Sequence, residues 1–199
     1  MQAQNAEREE RADEALMRAF GRGEDRAFEA LYARHKAATY RYFLRHAGGD
    51  RATADELHQD LWLKVIGARE RYEAQAKFST WLYTLARHRM VDHWRSRHGV
   101  TLASLEDEAT VTQAEQSAAA MRDGSDDPLN STMDAEARRR LLTALADVPQ
   151  LQRDAFLLHV EGGLSLEEIA GLTAASAETV KSRLRYAYRR LRAALEDLQ

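Results

Sequence analysis

The chain has 199 residues, 44% of them hydrophobic, which is enough for one large or two small domains. It contains no cysteine, which excludes structural disulfides, cysteine-ligated zinc and a thiol switch within the chain. No apolar run reaches the roughly 18 residues of a membrane span, and the polar N-terminus lacks a signal-peptide pattern, so we expect a cytoplasmic protein without membrane insertion. Only two prolines and ten glycines occur and no strand-like alternation persists, which predicts an all-α fold.

Apolar periodicity divides the chain into two small helical domains joined by an acidic, flexible linker. The expected N-terminal domain contains four helices, which run from Asp13 to Gly21 or Gly23 and over residues 28–47, 52–66 and 78–97. The linker is poor in apolar residues and carries nine acidic residues against one arginine over residues 99–136. The expected boundaries of the domains and the linker are 13–98, 99–134 and 135–199.

Charge is strongly segregated along the chain, although the net charge is only −3. Residues 69–97 carry seven Lys and Arg against three Asp and Glu, and residues 176–195 carry six against one. Two basic helices on either side of an acidic linker suggest two contacts with a polyanion. At low salt we expect the linker to fold back on these helices and to compete with nucleic acid.

The helix at 52–66 has two apolar sectors. Leu57, Leu61 and Val65 repeat at four-residue spacing and are expected to face the core of the domain. The second sector, with Trp62, Leu63 and Ile66, lies among acidic residues. An apolar patch rimmed by acids suits a basic protein partner. The alternative, that the helix lies centrally and both sectors are internal, stays open.

The helix at 78–97 places aromatic and basic side chains on one face. Tyr83, Arg87, Met90 and Trp94 follow one another at spacings of four, three and four residues. Such a face can stack on unpaired bases while its cations lie near phosphates. The alternative is a core helix whose arginines extend to solvent.

The C-terminal segment has the pattern of a helix-turn-helix. Ser165-Leu-Glu-Glu168 is a capping box that begins a helix of two turns, and Ser176 caps a longer helix after a short turn. The longer helix has an apolar side, expected to face inward, and a basic side. Its apolar side comprises Val180, Leu184, Ala187 and Leu191, and its basic side Lys181, Arg185, Arg189 and Arg192. A short helix, a tight turn and a basic helix predict insertion of the second helix into the major groove, whereas an ordinary helical hairpin would leave the basic side in solvent.

These segments resemble the extracytoplasmic-function (ECF) sigma factors, the promoter-specificity subunits of bacterial RNA polymerase. ADELHQDLWLKV resembles the polymerase-binding helix of that family, and FSTWLYTLARHRMVDHWR its promoter-melting helix. LSLEEIAGL followed by ETVKSRLRYAYRRL resembles the helix-turn-helix that binds the upstream promoter element. The resemblance implies promoter-specific transcription initiation with core RNA polymerase and promoter DNA as partners, with or without an anti-sigma factor, and no cofactor.

The resemblance also implies roles for individual residues. Polymerase contacts are expected from Asp55, Gln59, Asp60, Trp62 and Leu63. Recognition and melting of the downstream (−10) element are expected from Arg71, Lys77, Phe78, Ser79, Thr80, Trp81, Tyr83, Arg87, Trp94 and Arg95. Recognition of the upstream (−35) element is expected from Lys181, Ser182, Arg183, Arg185, Tyr186 and Arg189, with Arg183 and Arg189 on phosphates.

Some positions depart from the common pattern of the family. His88 stands where asparagine is common, Glu178 where glycine is common, and Tyr186-Ala187-Tyr188 where Arg-Ala-Arg is common. The last two differences bear on which DNA sequence is recognised, whereas the mode of binding is expected to be unchanged.

Two other functions are open on the residues alone. A stand-alone helix-turn-helix regulator would explain the C-terminal domain but not the aromatic and basic helix at 78–97. A helical metallohydrolase has a possible ligand pair in Asp55-x-x-His58, but a di-metal site needs this spacing on two helices and it occurs on one. Since no nucleophile elbow or phosphate-binding loop occurs either, the sequence predicts no catalytic residue and no metal.

Overall fold

The computed structural model describes residues 11–98 and 135–195, and within them it contains helices and no strand. The helices of the N-terminal half are α1 (Asp13–Gly21), α2 (Asp25–His46), α3 (Arg51–Ala68) and α4 (Phe78–His98). Those of the C-terminal half are α5 (Ala135–Ala146), α6 (Gln150–Val160), α7 (Leu166–Thr173) and α8 (Ala177–Leu195). The prediction of an all-α fold is confirmed. The linker predicted at 99–134 lies outside the described residues.

A local sequence signal accounts for the beginning of α3 but not for its end. Asp50 caps its N-terminus, because the carboxylate accepts hydrogen bonds from the backbone N–H groups of Ala52 and Thr53. The prediction that the helix ends before Gly67 is wrong, since α3 continues through this glycine. A glycine inside a helix costs about 1 kcal/mol relative to alanine. Burial of neighbours such as Val65 offsets this cost.

The N-terminal half has a core formed by all four of its helices. α1 packs on α2, α2 on α3 and α3 on α4. Leu57, Leu61 and Val65 of α3 are fully buried, so the predicted inward sector of this helix is confirmed.

Trp62 differs from the prediction of an outward sector on α3, because its side chain is buried. It is only 5% exposed and its ring packs edge-on against Phe28 and Tyr32 of α2. Its Nε1 donates a hydrogen bond of 3.0 Å to Nε2 of His58, one turn earlier in α3. Neighbouring aromatic rings and a hydrogen-bond acceptor are what a large indole needs in order to be buried. Leu63, the next residue, is exposed.

The C-terminal half is organised around α8, which packs against α5, α6 and α7. The predicted inward seam of Val180, Leu184, Ala187 and Leu191 is buried. The capping box of α7 is also confirmed. Ser165 Oγ accepts a hydrogen bond of 3.2 Å from the N–H of Glu168, and the Glu168 carboxylate accepts one of 2.8 Å from the N–H of Ser165.

The two halves lie in direct contact, because α2 packs against both α5 and α6. The arrangement in which α6 and α7 cover α2 and α4 is called the closed arrangement below. None of the described helices combines the length and apolar character needed to cross a membrane.

Candidate nucleic-acid and protein interfaces

The outer face of α3 presents an exposed apolar side chain among acidic and polar groups. Leu63 is 56% exposed, and Asp55 and Gln59 of the same helix are exposed as well. Asp60 is half-buried, and its carboxylate accepts a hydrogen bond of 2.7 Å from Nε of Arg89 on α4. The predicted protein-binding patch therefore centres on Leu63, while Asp60 also has a structural partner.

The loop between α3 and α4 places exposed cations beside a buried aromatic cluster. Arg71 and Lys77 are exposed. Phe78 is fully buried, with its ring near those of Tyr72 and Trp81. In this arrangement Phe78 supports the loop from within, and its ring is not accessible to a base.

The first turn of α4 is held by a residue that lies far away in the chain. Glu14 of α1 accepts a hydrogen bond of 2.6 Å from the backbone N–H of Phe78. The first N–H groups of a helix have no partner inside the helix, so a carboxylate there satisfies one of them and complements the helix dipole. The half-buried residues of this turn are Ser79, Thr80 and Trp81.

Two residues of the aromatic and basic face predicted on α4, Tyr83 and Arg87, lie against the C-terminal half. Tyr83, Arg87 and Trp94 are all less than 9% exposed. Nε of Arg87 donates a hydrogen bond of 2.7 Å to Asp154 of α6, and the Tyr83 hydroxyl donates one of 2.8 Å to the carbonyl of Glu161. This face is therefore closed to DNA here, because α6 and the residue after it satisfy its polar groups. Further along α4, Arg95 is exposed.

The sequence does not identify the carboxylates of the C-terminal half that bind arginines of α2 and α4. Glu161 accepts a hydrogen bond of 2.9 Å from Nε of Arg41 and also binds Arg45, both on α2. Asp154 lies in α6, whose sequence has the pattern of an ordinary amphipathic helix. A possible signal was the pair of arginines one helical turn apart, which flank the fully buried Tyr42 and Phe43. Arginines beside buried residues need either a carboxylate or water as a hydrogen-bond partner. The sequence does not show which of the two they have, or which carboxylate it is.

Asp154 lies at the centre of this contact and is 2% exposed. It accepts hydrogen bonds from the Tyr42 hydroxyl at 3.0 Å and from Arg87, and Nε2 of His46 lies 3.5 Å away. Burial alone would raise the pKa of Asp154, but its contacts with His46 and Arg87 outweigh burial and lower the pKa to about 2. Asp154 is therefore ionised at neutral pH.

His46 makes stability depend on pH. Burial lowers the pKa of His46 below its ordinary value of 6.5, although Asp154 opposes the shift. The folded protein therefore binds fewer protons than the unfolded chain just below pH 6.5. We expect the free energy of unfolding to fall on acidification from pH 6.5 to the lowered pKa, by up to about 1.4 kcal/mol per pH unit for one proton.

Urea unfolding of the His46→Gln variant between pH 7 and pH 5 checks this expectation. The variant should lose part of the pH dependence, whereas His88→Gln, which removes an exposed histidine of α4, should retain all of it. Identical slopes for His46→Gln and the parent protein would show that His46 is not the group responsible.

The basic side of α8 is open to solvent. Lys181, Ser182, Arg185, Tyr186 and Arg189 are exposed, and Arg183 is half-buried. The guanidinium of Arg189 lies 5.4 Å from the centre of the Tyr186 ring, which is a cation–π distance. The Oγ of Ser176 accepts a hydrogen bond of 3.0 Å from the N–H of Thr179 and so caps α8 as predicted. A capped, rigid helix with one exposed basic side has the geometry of a recognition helix.

His58, one of the two possible metal ligands on α3, has other partners. Nε2 of His58 lies 3.1 Å from the Thr39 hydroxyl and accepts the hydrogen bond of Trp62 described above. In residues 11–98 and 135–195 no group of three or more histidine, aspartate and glutamate side chains is placed to hold a metal ion.

Comparisons with known proteins agree with this geometry. Residues 31–99 match the sigma-70 region 2 family, and residues 138–191 match the sigma-70 region 4 family. The chain is 36% identical to the RNA polymerase sigma factor CarQ of Myxococcus xanthus, over 92% of this chain and 97% of that protein. It is 29% identical to the ECF RNA polymerase sigma factor SigK of Mycobacterium sp. (strain KMS), over 90% of this chain and 88% of that protein.

Solved structures share the fold at lower identity. CnrH, solved in complex with the cytosolic domain of CnrY, matches with a TM-score of 0.62 and 22% identity, over 94% of this chain and 99% of that chain. The sigma factor RpoE, solved in complex with the anti-sigma factor NepR from Bartonella quintana, matches with a TM-score of 0.60 and 22% identity, over 85% and 96% of the two chains.

Proposed function

This chain belongs to the extracytoplasmic-function sigma factors, which direct bacterial RNA polymerase to specific promoters, and we propose that three of its surfaces divide this task. A stand-alone regulator is not favoured, because the match to region 2 spans α2 to α4, which such a regulator would not need. The polymerase supplies the chemistry of RNA synthesis, so the role that we propose for this chain is to bind polymerase and promoter DNA. It would do so in the cytoplasm and without a cofactor.

The first surface is the outer face of α3, which we assign to core RNA polymerase. Exposed Leu63 provides the apolar centre, and Asp55, Gln59 and Asp60 surround it with groups that complement a basic partner. Trp62 acts from inside the helix bundle, where it holds α3 against α2 and so fixes the position of Leu63.

The second surface is assigned to the downstream promoter element. It comprises the exposed cations of the loop before α4 and, once the closed arrangement opens, the aromatic and basic face of α4. Unstacking a base costs a few kcal/mol, which stacking on aromatic side chains and a basic groove can offset. Arg71, Lys77 and Arg95 are already exposed in the closed arrangement. Phe78, Ser79, Thr80 and Trp81 shape the start of this surface.

The third surface is the exposed side of α8, assigned to the upstream promoter element. One observation supports the proposed function most strongly. The capped basic helix α8 follows the short capped helix α7, and the same chain contains the region 2 fold. In this proposal Lys181, Ser182, Arg185 and Tyr186 contact base edges, and Arg183 and Arg189 contact phosphates.

We also propose an anti-sigma factor as a partner. This proposal rests on the two structural neighbours, one of which was solved with an anti-sigma factor and the other with the cytosolic domain of CnrY. The apolar patch around Leu63 and the contact between the two halves are the surfaces on which such a partner would compete with polymerase.

The downstream assignment is tested in the reconstituted holoenzyme. Arg71→Ala removes an exposed cation, and we expect at least about fivefold fewer heparin-resistant open complexes, since a lost phosphate or base contact costs about 1 kcal/mol or more. The matched control is Arg26→Ala, an exposed cation of α2 outside the three surfaces. Equal yields for Arg71→Ala and the control would remove the loop from the downstream site.

A further inference from the structure

Helix α1 contacts both ends of the loop that precedes α4. The loop comprises residues 69–77 and carries Arg71 and Lys77, the exposed cations assigned to the downstream element. The match to region 2 begins at residue 31, so α1 lies outside the matched region. Leu16 and Met17 of α1 are nonetheless fully buried, and the helix packs on α2 and contacts α4. α1 is therefore part of the core of the N-terminal half.

Glu14 of α1 fixes the end of the loop, because the residue before α4 cannot cap this helix. The carbonyl of Lys77 accepts the first hydrogen bond of the helix, at 3.1 Å from the N–H of Trp81, so Lys77 occupies the N-cap position. A lysine side chain has no hydrogen-bond acceptor and cannot serve as a cap. The carboxylate of Glu14, 64 residues earlier than Phe78, accepts a hydrogen bond of 2.6 Å from the N–H of Phe78 instead.

The start of the loop lies against the C-terminal end of α1. A Cβ atom added to Gly21 would lie 2.6 Å from the carbonyl oxygen of Arg69, closer than side-chain atoms normally approach, so this contact requires glycine. The guanidinium of Arg69 also lies 5.9 Å from the centre of the Phe20 ring. The last turn of α1 therefore holds the first residue of the loop.

Contacts with α2 fix the position of α1 itself. Asp13 binds Arg34 and accepts a hydrogen bond of 2.7 Å from Nε2 of His35. Partial burial would raise the pKa of Asp13, but hydrogen bonds from His35 and Arg34 lower it, so this carboxylate is ionised at neutral pH. The His35 ring in turn lies 5.3 Å from the ring of Phe78. The first turn of α1 thus acts on Phe78 through Glu14 and through His35.

We propose that α1 positions this loop for the downstream element, with Glu14 and Gly21 as its positioning residues. The inference rests on the assignment of the loop to that element in the proposed function. Groups that recognise a base must be held within about 0.5 Å of their productive position, whereas the attraction between a cation and a phosphate acts over a longer range. A loop released from α1 should therefore still attract DNA but lose its preference among bases.

Two substitutions release the loop from α1 at different ends. Glu14→Ala removes the acceptor at the end of the loop, and Gly21→Ala places a methyl group against its start. Glu14→Gln removes the charge but keeps an acceptor oxygen, so it should behave like the parent protein. The controls are Glu29→Ala, which removes an exposed glutamate of α2, and Gly171→Ala, whose added Cβ would have no atom within 4 Å.

Amide hydrogen exchange of Phe78 in the free protein measures the cap directly, once urea unfolding has established that the variants are folded. The N–H of Phe78 should exchange at least about fivefold faster in Glu14→Ala than in Glu14→Gln, since the loss of a cap favours a frayed first turn by about this factor. Both variants lack the carboxylate, so the difference between them reports the hydrogen bond and not the charge. Equal exchange in the two folded variants would overturn the role of Glu14.

Base preference in the reconstituted holoenzyme tests the positioning role. Open complexes are compared on a promoter selected by the parent holoenzyme and on the same promoter with single-base substitutions in either element. One wrong base commonly lowers binding by about 5- to 150-fold. In Glu14→Ala and Gly21→Ala this factor should fall at least about fivefold in the downstream element alone, and it should be unchanged in Glu14→Gln and in both controls. If one of the two variants does not fold, the other carries the test.

The Arg71→Ala variant separates this inference from the proposed function. An unchanged downstream preference in the folded α1 variants would overturn the inference, and so would an equal loss in both elements, which indicates a general disturbance of the fold. If Arg71→Ala nevertheless lowers the yield of open complexes, the loop keeps its assignment and only the role of α1 fails. If Arg71→Ala has no effect either, the proposed function fails at this surface.

Discussion

Replacing Leu63 by aspartate should lower the affinity of this sigma factor for core RNA polymerase by about 30-fold or more. Leu63 is the exposed apolar centre of the α3 patch, and the few residues that dominate an interface cluster near its centre and cost about 2 kcal/mol or more on truncation. An added carboxylate must also be desolvated on binding, which increases the loss. The change is expected in the dissociation rate measured by surface plasmon resonance.

The same variant should remain folded, because Leu63 is not part of the core. Ala52→Asp is a matched control, since it adds the same charge to an exposed position near the N-terminus of the same helix. Asp60 is less suitable for charge reversal, because an arginine there would face Arg89 and disturb the N-terminal half. Unchanged polymerase affinity in folded Leu63→Asp would show that the polymerase binds elsewhere.

Arg185→Ala and Arg189→Ala should affect DNA binding in different ways. We assign Arg185 to base edges, so its loss should relax the sequence preference in the upstream element by roughly 1–3 kcal/mol, or about 5- to 150-fold between the best and the next sequence. We assign Arg189 to a phosphate, so its loss should weaken binding to all sequences equally and lower the salt slope by about one.

Holoenzyme binding to a set of upstream-element variants, at several salt concentrations, measures both effects. Arg190→Ala is a control for the loss of an exposed cation from the same helix. If Arg189→Ala relaxed the sequence preference and Arg185→Ala lowered the salt slope, the recognition helix would be rotated relative to this assignment.

The elements that the sequence predicts well are set by interactions between residues that are close in the chain, such as helix caps and side chains one turn apart. The helix-turn-helix follows from the capping box at Ser165, the cap at Ser176 and the one-sided basic pattern of α8, all set by residues within a few turns. Leu57, Leu61 and Val65 were assigned to the core by spacing alone, and they are fully buried.

The parts that the sequence leaves open depend on partners distant in the chain. The spacing of Arg87 allows either a nucleic-acid surface or a core helix, because its carboxylate partner Asp154 lies 67 residues later and no periodicity reveals such a pair. The spacing of Trp62 leaves open whether its sector is outward or internal, because it does not show that Phe28 and Tyr32 provide a pocket for it. The domain boundaries and the DNA- and polymerase-binding residues stay predictions.

Run-off transcription with purified core polymerase and a promoter library tests the sigma-factor function most directly. Core polymerase with this protein should produce defined transcripts only from templates that carry one particular pair of upstream and downstream elements, and core polymerase alone should produce none. If the protein bound duplex promoters tightly by itself but gave core polymerase no promoter-specific transcripts, it would act as a stand-alone regulator, and the function assigned here would be contradicted.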